Sequence, residues 1–223
     1  MRNPALKHYD LFIEAQRILE HDLHYKTDCK IVNVRDYGVP QSRKRLVFVG
    51  SRLGELKVAK PINEKKTVRE TIGDLPLPEN STDPIHKVFP KHNLSVQKRI
   101  EMTPRNGGSR RDLPKEYTLK CHEANNVGFH DVYGRLRWDD YSSTITGGCL
   151  NPSKGRFLHP EQNRNISARE AAMLQSFPDD YKFPIGIPTA KLALLIGNAL
   201  PPKFSYYQSV NIKQHLLEHL GHL

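Results

Sequence analysis

The chain has little that would staple it covalently or hold it in a bilayer. Its 223 residues include only three cysteines, Cys29, Cys121 and Cys149. They make no C-x-x-C pair and no even-numbered framework, which argues against a disulfide scaffold and a cysteine-based zinc site. They read as free thiols in a reducing compartment. No apolar run is long enough to span a bilayer, and the opening residues MRNPALKHYD hold no uninterrupted hydrophobic segment of the signal-peptide kind. Internal repeats and low-complexity tracts are absent. Acidic charge is also in deficit: 24 Asp and Glu stand against 34 Lys and Arg, a formal charge of +10. That suggests a polyanionic partner, nucleic acid first, although charge alone does not separate DNA from RNA or from a membrane surface.

The length suits one sizeable domain, or one domain with a small one beside it. Leu11, Phe12, Ala15, Ile18 and Leu19 recur at the spacing of an amphipathic helix over residues 8–23. CKIVNV (29–34) and RLVFVG (45–50) read as strands, and the short DYGVP turn (36–40) predicts that they are antiparallel neighbours. From about residue 60 to 140 prolines punctuate the chain and periodicity is lost. Order returns with SAREAAMLQSF, where Ser167 and Glu170 have capping-box spacing. TAKLALLIGNAL (189–200) is apolar nearly all round and is expected to be buried. Residues 201–221 predict a last helix, with proline at its start and Gly221 near its end.

Two places pose a chemical question. In YGVPQSRKRLVFVG (37–50), Arg43 and Arg45 stand two apart at the entry to a strand, so both should project to one side. Either this is a solvated strand entry or something planar or anionic waits there. The loop RNGGSRRDLP (105–114) joins glycine flexibility to Arg105, Arg110 and Arg111, a candidate phosphate- or base-reaching loop or an ordinary polar one. His215 and His219 with Glu218 make a formal H-x-x-E-H pattern. It lacks a third ligand nearby, and the polar face of a helix explains it better than a metal.

Three segments in fixed order, PQSRKRLVFVG, GRFLHPEQNRNISAREAAMLQSFPDDYKF and IGNALPP, resemble the DNA (cytosine-5) methyltransferases. They resemble the family's Q-x-R-x-R motif, its R-x-x-x-x-R-E-A-A-x-x-Q-x-F-P-D helix and its G-N-A-V-P-P, with Leu200 in place of valine. The resemblance implies an α/β fold: the C-terminal part of a Rossmann-like S-adenosylmethionine-dependent sheet, with a small irregular, mostly β target recognition domain. By this likeness residues 1–73 belong to the catalytic domain, 74–160 to target recognition, and 161–223 return to the catalytic domain. The resemblance assigns Arg45 to holding a flipped target cytosine, with Arg43 organising the same pocket and Gln41 alongside. A guanidinium suits that role, because its planar fork can stabilise charge on the cytosine ring and fix the base in plane. It also places Asn198 and Ala199 at S-adenosyl-L-methionine. Thr144, or alternatively Thr146, falls at the phosphate beside the flipped base, and Arg105, Arg110 and Arg111 fall on the DNA side. Double-stranded DNA is the implied partner, in a cytoplasmic, bacterial or phage restriction-modification setting.

The family's F-x-G-x-G, its P-C-Q nucleophile motif and its E-N-V are all absent from these residues. None of the three cysteines follows a proline. The expectation is therefore the C-terminal portion of a methyltransferase, inactive until an N-terminal half or subunit completes the cofactor site. The alternative is a DNA-binding module without catalysis.

Overall fold

The computed structural model describes residues 9–119 and 131–221; Cys121 and His122 lie outside them. Helix α1 (Tyr9–Arg17) continues into a wider π-type turn, Ile18–Asp22, instead of one regular helix to residue 23. The widening lets Leu23 and Tyr25 donate backwards to the Ile18 and Leu19 carbonyls, and His24 turns the chain with a positive φ of 56°. Strands β1 (Lys26–Asn33) and β2 (Lys44–Ser51) then pair antiparallel, with Ile31 opposite Leu46 and Val32 opposite Arg45. Among the described residues this is the only sheet, so each strand keeps one unpaired edge. Asn33 holds the connection: its side-chain oxygen accepts from Arg43 N at 2.9 Å. Gly38 has a φ of 71°, and any Cβ there would meet the Lys203 side chain, so only glycine serves the turn without strain.

Among the described residues five further α-helices follow: α2 (Val68–Ile72), α3 (Leu94–Met102), α4 (Ala168–Leu174), α5 (Thr189–Asn198) and α6 (Pro202–Leu220). The main core draws on Val68 and Ile72 of α2, on Ile145 and Phe157, on the alanines and Leu174 of α4, and on Leu192 and Ile196 of α5. Burying each of the larger side chains contributes about 1.5–3 kcal/mol. A smaller cluster beneath the hairpin joins Val34, Tyr37, Val39 and Ala59 to Phe204 of α6. The capping box at α4 forms as its spacing predicts: Glu170 N donates to Ser167 Oγ and Ser167 N to the Glu170 carboxylate. That buried carboxylate also takes both ends of the Arg164 guanidinium at 2.7 Å. Burial pushes its pKa up, but these bonds and the Arg164 charge win, and the net shift is downward.

Two expectations need correction. Among its described residues the stretch 74–160 is irregular and not mostly β: it holds α3, 3-10 turns and isolated bridges such as Arg135–Leu158, and it is rich in proline, which cannot donate to a ladder. Helix α5 is only half buried. Leu192, Ala193 and Ile196 face the core, whereas Leu194, Leu195 and Leu200 are exposed. Among the described residues no helix is long and apolar enough to cross a membrane.

The stretch 74–160 is pinned by a cation. Arg135 is fully buried, and its guanidinium donates to the carbonyls of Ile100, Thr103, His159 and Gln162 and to Asn163 Oδ1, at 2.6–3.0 Å. Nearby, His159 Nδ1 accepts from the Glu161 and Gln162 amides, which fixes the neutral ring. Burial pulls its pKa from 6.5 to about 4 against the opposing pull of Glu170. The unfolded chain therefore binds the proton first as pH falls. Full stability holds above pH 6.5 and drains toward pH 4, by about 3 kcal/mol for a shift of that size. Urea titrations across this window should show the slope, and His159→Asn, which keeps an acceptor in place of Nδ1, should flatten it.

Candidate functional site

The candidate site is built where residues 142–146 are stitched beside the entry to β2. Gln41 and Ser142 form a parallel bridge, Ser42 N donates to Ser142 O at 2.9 Å, and Ser142 N donates to Pro40 O at 3.0 Å. Thr144 donates its hydroxyl to Ser42 O at 2.9 Å and is half-buried. Thr146, the alternative position, is exposed.

Gln41 is fully buried, and both ends of its amide are used internally. Nε2 donates to Gln175 Oε1 at 2.5 Å, and Oε1 accepts from Ile145 N at 2.7 Å. Arg43 is buried as well. Its Nη1 donates to Ile145 O at 2.7 Å and to Gly197 O at 3.1 Å, which places a cation on the carbonyl end of α5. Burial and then the Arg45 charge lower its pKa, and it stays charged. Arg45 is the outward member of the pair. It is exposed, and its Nη1 donates to Lys44 O at 2.7 Å. The two arginines are thus near neighbours with different surroundings, because the ladder begins at Lys44 while Arg43 still belongs to the turn that packs on Ser142 and Gly197.

The end of α5 is held tightly. Gly197 permits it, since a Cβ there would strike the backbone of Thr146 and Gly147. Gln175 Nε2 donates to Ile196 O at 2.7 Å and to Ala199 O at 3.3 Å. With these carbonyls drawn inward, Asn198 remains exposed and Ala199 half-buried. An exposed carboxamide on a fixed helix end fits one wall of a site for a polar cofactor.

In the loop 105–114, Arg105 and Arg111 are exposed, whereas only 7% of Arg110 is accessible. The loop carrying Arg105 is fixed from below: Arg156 Nη1 donates to Gly107 O at 2.8 Å and Gly108 O at 3.2 Å, and its Nη2 pairs with Asp131 at 2.8 Å. The H-x-x-E-H pattern is used structurally. His215 is buried with Nε2 2.7 Å from Ser51 Oγ, and His219 Nδ1 donates to His215 O. Among the described residues no three metal-ligating side chains cluster. Cys149 is buried and its pKa is pushed up to about 12, so it is a thiol at neutral pH; burial raises Cys29 as well.

Gln175 and Gly197, neither of them among the candidate site residues, carry this arrangement. The signal for Gln175 was a lone polar side chain following Ala171 and Leu174 on the apolar face of a short helix.

Comparison with known proteins agrees with the three motifs. Residues 7–214 match the C-5 cytosine-specific DNA methylase family, and the chain belongs to it. The type II methylase M.HgiDII of Herpetosiphon aurantiacus is 35% identical over 204 residues, covering 87% of this chain and 57% of that protein. The type II methyltransferase M1.HphI of Haemophilus parahaemolyticus is 34% identical over 186 residues, covering 81% of the chain and 46% of that protein. The chain thus spans about half the length of these relatives. Among solved structures, a DNA modification methyltransferase encoded within an E. coli prophage superposes with a TM-score of 0.60 at 20% identity, covering 92% of this chain and 65% of that one. The S. pombe Dnmt2 methyltransferase gives 0.55 at 16%, covering 94% and 63%. At those identities the likeness concerns the fold.

Proposed function

We propose that this chain is the C-terminal portion of a DNA cytosine-5 methyltransferase. It reads double-stranded DNA with residues 74–160, holds a flipped cytosine with Arg45, and supplies one wall of the S-adenosylmethionine pocket through Asn198 and Ala199. Gln41 and Arg43 act by positioning, since both are buried and bonded inside the protein. The observation that carries the reading is the convergence of all three family motifs: Gln41 and Arg43, Gln175, and the Ile196–Ala199 carbonyls meet in one buried hydrogen-bonded unit. Arg45 follows that unit by two residues along β2, and Asn198 lies within it in sequence.

Each residue then has a definable task. Attack by a nucleophile at C6 of cytosine pushes electron density toward O2 and N3. The exposed Arg45 guanidinium can meet that charge with two coplanar donors. Exposed Arg105 and Arg111 suit the DNA backbone or base edges. S-adenosylmethionine, when bound, supplies the methyl group. The nucleophile is not among the described thiols: Cys149 is buried and protonated, and Cys29 is shifted away from thiolate. On this reading an N-terminal portion carrying P-C-Q and E-N-V supplies it.

The surface supports such a partner. Ile31 and Leu46 oppose each other across the hairpin, yet are 74% and 56% exposed, and Leu194, Leu195 and Leu200 lie open near the end of α5. Apolar area of this kind next to unpaired strand edges fits a continuing sheet. Co-expression with an N-terminal portion bearing the missing motifs should yield a soluble heterodimer. Leu46→Lys should weaken that association by roughly 100-fold or more, because it buries an unpaired charge. The same substitution should leave the chain's own fold intact. A Leu46→Lys chain that associates as the wild type does would refute this interface.

A further inference from the structure

The buried hydrogen bonds behind Arg45 close into a ring, and the inference drawn from it rests on the reading just given. We propose that Gln175 is a positioning residue that, together with Gln41, ties the cofactor-side end of α5 to the base-side entry of β2. Occupancy of one site is then felt at the other.

Starting at α5, the Ile196 and Ala199 carbonyls accept from Gln175 Nε2 at 2.7 and 3.3 Å. Gln175 Oε1 accepts from Gln41 Nε2 at 2.5 Å, across 134 residues of sequence. Gln41 Oε1 accepts from Ile145 N at 2.7 Å. Ile145 O accepts from Arg43 Nη1 at 2.7 Å, and the same nitrogen reaches back to Gly197 O at 3.1 Å, beside the first carbonyl. Gln41, Ile145, Gln175 and Ile196 are all fully buried, so water cannot replace a lost bond.

The chemistry of the carboxamide explains why glutamine stands at 175. It must accept on one side and donate to two carbonyls on the other. A carboxylate would face those carbonyls with no proton to give, and an apolar side chain would leave the α5 carbonyls and the Gln41 amide without partners. A buried polar network that is costly when half satisfied behaves as a unit. The carbonyl end of a helix carries partial negative charge, which the Arg43 cation offsets. Shifting Asn198 and Ala199 would therefore disturb Gln175 and Arg43 together, and Arg45 lies two residues beyond. Linkage makes the effect reciprocal: a base held at Arg45 would stiffen the helix end that meets the cofactor.

Hydrogen–deuterium exchange on the chain itself tests the tie. Gln175→Met should release the Ile145 amide, which Gln175 does not touch. Gln41→Met should release the Ala199 amide, which Gln41 does not touch. Each should gain roughly 10-fold or more in exchange rate, the scale of leaving buried partners unpaired. Amides of α3 should not change, and the double variant should exchange no faster than the worse single one. Gln175→Asn, shorter by one methylene, makes the same test if methionine is not tolerated. Release confined to each residue's direct partners, or effects that multiply in the double variant, would overturn the proposal. In the heterodimer, the factor by which DNA tightens S-adenosylmethionine should be lost in Gln175→Asn; its retention would also overturn the proposal. A wild-type heterodimer that binds neither ligand would defeat the functional reading above, while the exchange result would still decide the tie.

Discussion

Arg45→Ala in the heterodimer should lower methyl transfer by about 10²-fold, the scale of losing one oriented donor to developing negative charge. The structure gives the reason. Arg45 is exposed at the start of β2 and bonded only locally, to the Lys44 carbonyl, so its fork is free to meet a base. Arg43, two residues earlier, is committed to Ile145 and Gly197. Arg45→Lys should recover little, because an ammonium lacks the planar pair of donors. A substitution at the exposed Arg111 makes the contrast. If it neutralises a phosphate, Arg111→Ala should weaken DNA binding across all sequences and lower the salt slope by about one unit, with turnover of bound DNA preserved. Measuring turnover and salt-dependent affinity for both variants separates the roles. Arg45→Ala with intact turnover and a reduced salt slope would make Arg45 a backbone contact.

Arg135→Met should be the most damaging substitution for stability. The guanidinium is buried without a carboxylate and satisfies four backbone carbonyls and Asn163 Oδ1. Burial pulls its pKa down to about 10, helped by the Arg105 charge, yet it remains a cation at neutral pH. Removing it leaves those acceptors in a dry interior. The expected loss is about 3–5 kcal/mol, the scale of breaking a buried charged network. That is a large share of the 5–15 kcal/mol that holds typical domains folded. Arg135→Lys should rescue part of it, since three donors on a flexible stem cannot span the same ring of oxygens. Urea denaturation of the chain measures both; a loss below about 1 kcal/mol for Arg135→Met would show that the stretch 74–160 does not depend on this cation.

What could be read in advance was mostly local. The hairpin, the α4 capping box and the last helix follow from periodicity, from Ser167 with Glu170, and from the prolines at 201 and 202. The paired arginines could be picked out as a candidate because strand spacing would put them on one side, but β2 begins only at Lys44, with Arg43 buried and Arg45 exposed. That one of them is inside was not legible, since Arg43 is turned inward by the carbonyls of Ile145 and Gly197, contacts more than a hundred residues away along the chain. Gln41 meeting Gln175 is equally invisible to any local pattern. Arg135 looks like one more cation in a basic stretch until its five acceptors are assembled around it. The apolar run at 189–200 suggested full burial, but hydropathy does not say what covers a face, and Leu194, Leu195 and Leu200 are open. The resemblance implied a mostly β stretch at 74–160, whereas its described residues hold only isolated bridges.

The most direct test of the account is methyl transfer from labelled S-adenosylmethionine to double-stranded DNA. It is measured for the purified chain alone and after mixing with an N-terminal portion that carries F-x-G-x-G, P-C-Q and E-N-V. The account predicts no turnover by the chain alone, whose residues include neither P-C-Q nor E-N-V, and sustained turnover by the mixture. Sustained turnover without the N-terminal portion, or none with it, would contradict the claim that this chain is the base-holding and DNA-reading part of a cytosine-5 methyltransferase.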